Sequence, residues 1–262
     1  MIVKKILVTG AGTGIGRDTV KALSSQGHTV IATTYSEEQA EQLRREIDST
    51  VQVFKLDITD ANDREKIADL DLDVLINNAA LGDSGSLAEV DIDRVRKLFE
   101  VNVFSTLALS QVAIKSMVAR GGGTVIFISS IAGRVPMPFL MPYSMTKFAL
   151  SAAAAGLRDE MKVLDKGINI TVVEPGAFHT GFNQSMSGSK FEWMEKGSLF
   201  STEQIEKVKN KENREFKFLE AKSTKSIVDK IVIAAGSTRP KLRYVAPWIQ
   251  GVFIQLARIF GK

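Results

Sequence analysis

Apolar, β-branched runs alternate with helical patterns through most of this chain. The segments "IVKKILVTG", "HTVIATTY", "STVQVFKLD", "DVLINNAA", "GTVIFISS" and "INITVVEPG" read as strands. Helical stretches lie between them: residues 14–26, 37–47, "ANDREKIADL" with Thr59 or Asp60 as its cap, 92–99 followed by 103–119, and 143–164. Consecutive strands joined through helices pair in parallel, and right-handed crossovers then cover both faces of the sheet. The expected fold class is therefore α/β, a doubly wound parallel sheet. Residues 1–262 read as one domain, because no linker, internal repeat or low-complexity segment interrupts the pattern.

Composition narrows the function classes. The chain is 44% hydrophobic and 24% charged, enough apolar material for a core of this kind. A net charge of +4, with both signs interspersed, leaves no nucleic-acid footprint. The absence of cysteine excludes disulfides, thiolate zinc sites and a cysteine nucleophile, and it suits a reducing, cytoplasmic setting. With only His28 and His179, no metal site is expected. "MIVKKILVTG" is already a strand with its turn, so no signal peptide is expected, and no apolar run approaches the roughly 20 residues that span a bilayer.

The turn "TGAGTGIG" follows the first strand and opens the first helix, with Gly10, Gly14 and Gly16 spaced G-x-x-x-G-x-G. Glycines let the backbone approach a pyrophosphate, and the helix N-terminus adds free N–H groups and a positive dipole end. This is a dinucleotide site in a Rossmann-type sheet. Asp57, in "LDITD", ends the third strand, where the ligand crevice of an open α/β sheet lies. "NNAA", residues 77–80, ends the fourth; its asparagines can hold the strand end or a cofactor ribose. Tyr143 and Lys147 stand four apart and share one helical face, thirteen residues after Ser130.

Together these motifs resemble the single-domain branch of the short-chain dehydrogenase/reductase family. The family's TGxxxGIG matches Thr9 to Gly16, its NNAG matches Asn77 to Ala80 with alanine in place of the last glycine, and its YxxxK matches Tyr143 and Lys147. Asn102 and Ser130 match the family's asparagine and serine, and Pro175, Gly176 and Thr180 match its PG-x-x-x-T segment. The resemblance covers residues 2 to about 181. It implies a catalytic set of Asn102, Ser130, Tyr143 and Lys147, with Asn102 holding a water that relays protons to Lys147. It implies cofactor contacts from Gly10, Thr13, Gly14, Ile15, Gly16, Thr34, Ser36, Asp57, Ile58, Asn78, Ala79, Tyr143, Lys147, Pro175, Gly176 and Thr180. A homodimer or homotetramer packed through the helices of Asn102 and Tyr143 is implied as well.

The chemistry can be stated from the residue types alone. Hydride exchange between a nicotinamide and a carbonyl needs a proton partner at oxygen, and a phenol of pKa about 10 is a poor base at neutral pH. An ammonium about 4 Å away contributes about 4 kcal/mol at an effective dielectric near 20, enough to lower the phenol by up to about three pKa units. Lys147 can also hold ribose hydroxyls, and Ser130 can orient the substrate oxygen. The expected activity is NAD(P)-dependent oxidation or reduction of an alcohol/carbonyl pair. The alternative is a catalytically silent NAD(P)-binding sensor or scaffold, which would not need the phenol–ammonium pair.

Residues 178–221 read as a substrate-loop insertion. Phe178, Phe182, Met186, Phe191, Trp193 and Met194, with "VPMPFLM" beside Ser130, suit an apolar carbonyl or alcohol. The charged run 207–217 reads as a solvated helix face. The apolar tail, about 247–260, reads as a core or subunit-contact helix in preference to a membrane contact. At the end of the second strand, Thr34 and Tyr35 stand where an acid would select NAD or an arginine NADP. With Thr34 and Ser36 as donors, Arg17 nearby and no carboxylate in that slot, NADP(H) is expected over NAD(H).

Overall fold

The computed structural model describes residues 2–260. Seven strands form one parallel sheet: β1 (Lys5–Val8), β2 (Thr29–Thr34), β3 (Gln52–Lys55), β4 (Val74–Asn77), β5 (Gly123–Ile128), β6 (Ile168–Pro175) and β7 (Arg243–Ala246), in the order β3-β2-β1-β4-β5-β6-β7. The register sets Leu7 between Ile31 and Leu75, and Phe127 beside Val172. The chain winds outward from β1 to β3 and then crosses to β4. The switch point therefore lies between β1 and β4, where a Rossmann-type sheet opens its crevice.

The helices are α1 (Gly14–Ser25), α2 (Glu37–Glu46), α3 (Ala61–Glu65), α4 (Ile92–Phe99), α5 (Thr106–Arg120), α6 (Met141–Leu164), α7 (Phe182–Met194), α8 (Thr202–Leu219), α9 (Lys225–Gly236) and α10 (Trp248–Ile259). Both faces of the sheet are covered. Ile6, Val8 and Ile76 pack with Val20 and Leu23 of α1 and Ile227 and Ile231 of α9 on one side. On the other, Leu7, Leu75 and Phe127 pack with Leu109 and Met117 of α5 and Leu150 of α6. Strands buried on both faces are apolar at nearly every position, which is why they read as continuous runs.

Two details depart from the sequence reading. The helix after Thr59 is only α3, five residues long, with Asp60 as its cap accepting from Asn62 N at 2.7 Å and Asp63 N at 3.1 Å. The two helices expected over 92–119 are one continuous helix, Ile92–Arg120, joined through a π-helical turn at Glu100–Ser105. At 29 residues it reaches the length and apolarity of a bilayer span, contrary to the reading that no segment does; here its inner face, with Leu109, Ala113 and Met117, is buried in the core.

Candidate active site

A cavity of about 1590 Å³ opens along the C-terminal ends of the strands and continues under α7, α8 and α10. One end of it is the glycine turn. Gly10 has φ +62°, and a Cβ there would meet Ala79 Cα at 2.7 Å, so only glycine lets the turn lie against the end of β4. A Cβ at Gly16 would strike the Gly10 carbonyl at 2.5 Å. The helix α1 begins with no side-chain cap and no acidic residue in its first turn. Its N–H groups and dipole thus face the cavity unanswered, which fits a diphosphate.

Thr9 and Asn78 hold this turn in place. The Thr9 hydroxyl accepts from Asn78 N and Ala79 N, both at 3.0 Å, and the Asn78 amide donates to the Thr9 and Gly10 carbonyls at 2.9 Å. Asn78 lines the cavity, yet its amide nitrogen is occupied with the turn. Ala79, Thr13, Gly14, Ile15, Asp57, Ile58, Pro175, Gly176 and Thr180 also line the cavity. Asp57 closes its own turn by accepting from Thr59 N and Oγ1. Its backbone N–H donates to Asp63, 2.8 Å away, a buried carboxylate held well below its usual range by Lys55 and Lys66 against the opposing cost of burial. Asp63 carries no motif; only the position of its partners reveals it.

The residues expected to choose between cofactors sit differently. Thr34 is 1% exposed, does not line the cavity and donates to the Ser36 carbonyl at 2.9 Å. Ser36 accepts from Gln39 N as the cap of α2, and Arg17 pairs with Glu46 at 2.8 Å. The Thr34 hydroxyl proton and the Arg17 cation invoked for a phosphate are thus committed elsewhere, while Ser36 keeps its own proton but does not line the cavity. Tyr35, largely exposed, is the β2-end side chain that lines the cavity.

At the inner end, Ser130, Tyr143 and Lys147 converge on the cavity. Ser130 follows β5, donates to the Pro175 carbonyl at 3.4 Å and accepts from Ala132 N at 3.1 Å. Tyr143 and Lys147 stand one turn apart on α6, which Pro142 helps to open. Lys147 is 2% exposed and donates to the Ile128 carbonyl at 3.0 Å, with its Nζ 5.5 Å from the Tyr143 ring centre. Burial pushes the phenol well above its ordinary value, and the nearby Ser130 hydroxyl opposes this only in part. The same burial pushes Lys147 down to about 8. In the protein alone burial, not the ammonium, sets the direction in which the phenol shifts.

Two supports escaped the sequence reading, and the expected Asn102 acts as a third. Ser129 donates to the Lys147 carbonyl at 3.0 Å and shares a hydrogen bond with Ser151, tying β5 to α6. A Cβ at Gly133 would meet the Lys147 carbonyl at 2.6 Å, so glycine is what lets this loop touch α6. Asn102, in the π-helical turn and 1% exposed, accepts from Leu81 N at 2.8 Å and donates to the Leu81 carbonyl and Thr146 Oγ1. Both ends of its amide are used by protein groups, so the side chain is a brace between the β4 loop and α6 and does not line the cavity. π-Helical turns recur at functional sites, where they release backbone groups from the regular ladder.

The lid divides in two. Phe182 and Met186 of α7 pack with Ala132, Met137, Leu140 and Tyr143 around the phenol. Phe191, Trp193 and Met194 turn instead towards Phe139, Phe200, Ile205 and Val208, between α7 and α8. Phe178 joins the main core. The charged run is only partly a solvated face: Lys211, Glu212 and Glu215 line the cavity, and Glu212 is paired with Lys190, which is 1% exposed. Glu174, fully buried at the end of β6, is bound by Arg134, 2.8 Å away, and by Arg243.

The short chain dehydrogenase family model matches residues 4–190. A mouse protein, dehydrogenase/reductase SDR family member 7B, is 32% identical over 209 residues, 74% of this chain and 64% of its own length, so the chain spans somewhat less than two thirds of that relative. The NADPH-dependent 3-dehydrocapnine reductase of Ornithobacterium rhinotracheale is 28% identical and covers 91% of this chain and 86% of its own. A solved short-chain dehydrogenase from Streptomyces avermitilis superposes with a TM-score of 0.79 at 29% identity, over 98% of this chain and 93% of that one. Strand order, glycine turn and these matches lead to one statement: this chain belongs to the short-chain dehydrogenase family.

Proposed function

We propose that this protein is an NAD(P)-dependent oxidoreductase that interconverts a carbonyl and a secondary alcohol on an apolar substrate. The observation that carries this reading is the convergence of Ser130, Tyr143 and Lys147 at the buried end of a cavity whose other end is an uncapped helix N-terminus. When bound, the nicotinamide cofactor supplies or accepts the hydride. The chain's own residues supply the rest. Gly10 to Gly16, with the start of α1, hold the diphosphate, while Asp57, Ile58, Ala79 and Pro175 to Thr180 shape the walls.

Tyr143 gives its phenolic proton to the carbonyl oxygen during reduction, and Ser130 donates a hydrogen bond to that oxygen. A phenol kept protonated by burial is suited to this direction, since it enters the reaction as an acid. Lys147, charged below about pH 8, holds ribose hydroxyls and stabilises the phenolate that forms. Phe182, Met186 and Leu140 keep water from the phenol. Asn102 fixes α6 relative to the β4 loop and so sets the spacing of these groups.

NADP(H) is favoured over NAD(H), because no carboxylate occupies the end of β2 and the Ornithobacterium relative is named as NADPH-dependent. With Thr34 committed elsewhere and Ser36 off the cavity wall, the preference is modest. A homodimer or homotetramer packed through α5 and α6 suits the exposed Phe104 and Phe148. The reading is tested by following reduced nicotinamide absorbance across ketones and alcohols with wild type and Tyr143→Phe. Turnover that survives in a folded Tyr143→Phe protein overturns it, and no turnover with any pair favours the silent sensor.

A further inference from the structure

The helix α10 is mounted with its apolar face outward. Trp248, Ile249, Val252, Phe253, Leu256 and Ile259 are all exposed. At about 100° per residue these six fall within one arc of about 140°. Gln250 lies on the opposite side and Gln255 at the edge of the arc, and both fasten the helix to the body. Gln250 accepts from Ala177 N at 2.9 Å and donates to the Leu219 carbonyl at 2.8 Å, and Gln255 accepts from Arg134 at 2.9 Å. The buried Ile254 lies on that inner side. A core helix would have the reverse arrangement.

The arc borders the site. Ile249 and Phe253 of α10, with Phe216 and Leu219 at the end of α8, line the same cavity that ends at Tyr143. Phe218, beside them, is 77% exposed. Apolar surface thus rims the entrance. From Ala246 onward the sequence carries Arg258 and Lys262 and no Asp or Glu, and Arg258 is exposed.

We propose that α10 and the end of α8 seat on an anionic lipid surface, and that the cavity draws an apolar, lipid-like carbonyl substrate from it. This rests on the oxidoreductase reading above. A helix of 12 residues spans about 18 Å, too short to cross a bilayer but suited to lying in its interface. Aromatic and aliphatic side chains enter the acyl boundary, and a helix whose one charged residue is Arg258, with no carboxylate, is drawn to anionic headgroups rather than repelled by them. A second copy on the same arc would stopper the entrance that the arc rims, whereas a bilayer presents hydrocarbon to arc and entrance alike.

The test uses the full chain with phosphatidylcholine vesicles, with and without phosphatidylglycerol, and the double variant Val252→Glu/Ile259→Glu, whose residues lie in the arc but outside the cavity lining. Wild type floats with the anionic vesicles, and the emission of Trp248, isolated by Trp193→Phe, shifts to the blue. The double variant loses about tenfold in vesicle partitioning. It keeps wild-type turnover of a short water-soluble ketone and loses about tenfold on a long-chain ketone dissolved in vesicles. Wild type that ignores both vesicle types overturns the docking. So does a wild-type dimer that the double variant dissolves without any vesicle binding, since the face is then a subunit contact. No turnover of the soluble ketone by wild type overturns the enzymatic reading and the substrate half of this proposal, while flotation still reports on the docking by itself.

Discussion

The rings of Tyr143 and Phe182 lie 5.7 Å apart, centre to centre, inclined at 58°. The proton donor is therefore roofed by a lid side chain from another element. Removing that ring exposes the phenol to water and relieves part of its burial. Phe182→Ala is expected to lower kcat/KM for an apolar ketone about tenfold, equivalent to about 1.4 kcal/mol. Oxidation of the corresponding alcohol is expected to suffer less, because a wetter phenol ionises more readily. Steady-state kinetics in both directions check this, and equal losses would argue against the roof.

Tyr143→Phe should cost about 10²- to 10⁴-fold in kcat, the usual range for losing a general acid. Its cofactor affinity should stay within about twofold of wild type, since the phenol touches no part of the diphosphate cradle. Single-turnover rates and fluorescence titration of the reduced cofactor read the two effects separately.

Lys147 gives the pH dependence. Its ammonium is present below about 8 and is lost as pH rises through that value. Cofactor affinity should therefore weaken between pH 7 and pH 9, and a dissociation constant that stays flat over this window would contradict the ribose role. Stability without cofactor should move the other way. The folded pKa lies below the ordinary 10.5 of lysine, so the unfolded chain binds more protons between about 8 and 10.5, and stability from this group rises with pH across that window.

Cofactor choice should respond to Tyr35, which lines the cavity, and not to the inward-facing Thr34. Wild type is expected to favour NADPH over NADH by less than about tenfold, as no built phosphate site is present. Tyr35→Asp should reverse the order by repelling the 2′-phosphate. The ratio of kcat/KM values with the two cofactors decides it, and a wild type that clearly prefers NADH would refute the assignment.

Glu174 is the buried carboxylate that joins the loop after Ser130 to β7 through Arg134 and Arg243. Glu174→Gln leaves two guanidinium groups short of their charge partner, which costs about 3 kcal/mol or more. In a chain of this size that is a fall of about 6–12 °C in Tm. Calorimetry of the folded variant measures it, and an unchanged Tm would show that the two arginines find other partners.

Much of the frame was legible because double burial makes each strand an uninterrupted apolar run, and because glycines at 10, 14 and 16 have a steric reason to be there. The orientation of Thr34 was not. A strand buried on both faces has no polar alternation to reveal which way a given side chain points. Lys190 and Glu212 are 22 residues apart on different helices, so nothing local marks their pairing. For α10 the pattern showed a wide apolar face but not its direction; the bonds of Gln250 and the burial of Ile254 settle which side meets the protein. The cavity-lining part of the charged run has the same cause: alternating charges on a helix look alike whether one stripe meets water or a pocket.

The π-helical turn at Glu100–Ser105 contains one residue more than regular coiling would need. The wider turn absorbs that surplus, so α4 and α5 keep the phase of a regular helix one residue shorter. Coiling the same six residues regularly would instead spin α4 by about 100° relative to α5. Val95 and Leu98, now buried, would swing off the body, and the amide of Asn102 would leave Leu81. The packing of α4 and the brace beneath Lys147 thus both depend on the wide turn, which fits Asn102 into the helix without rotating the face that α4 buries.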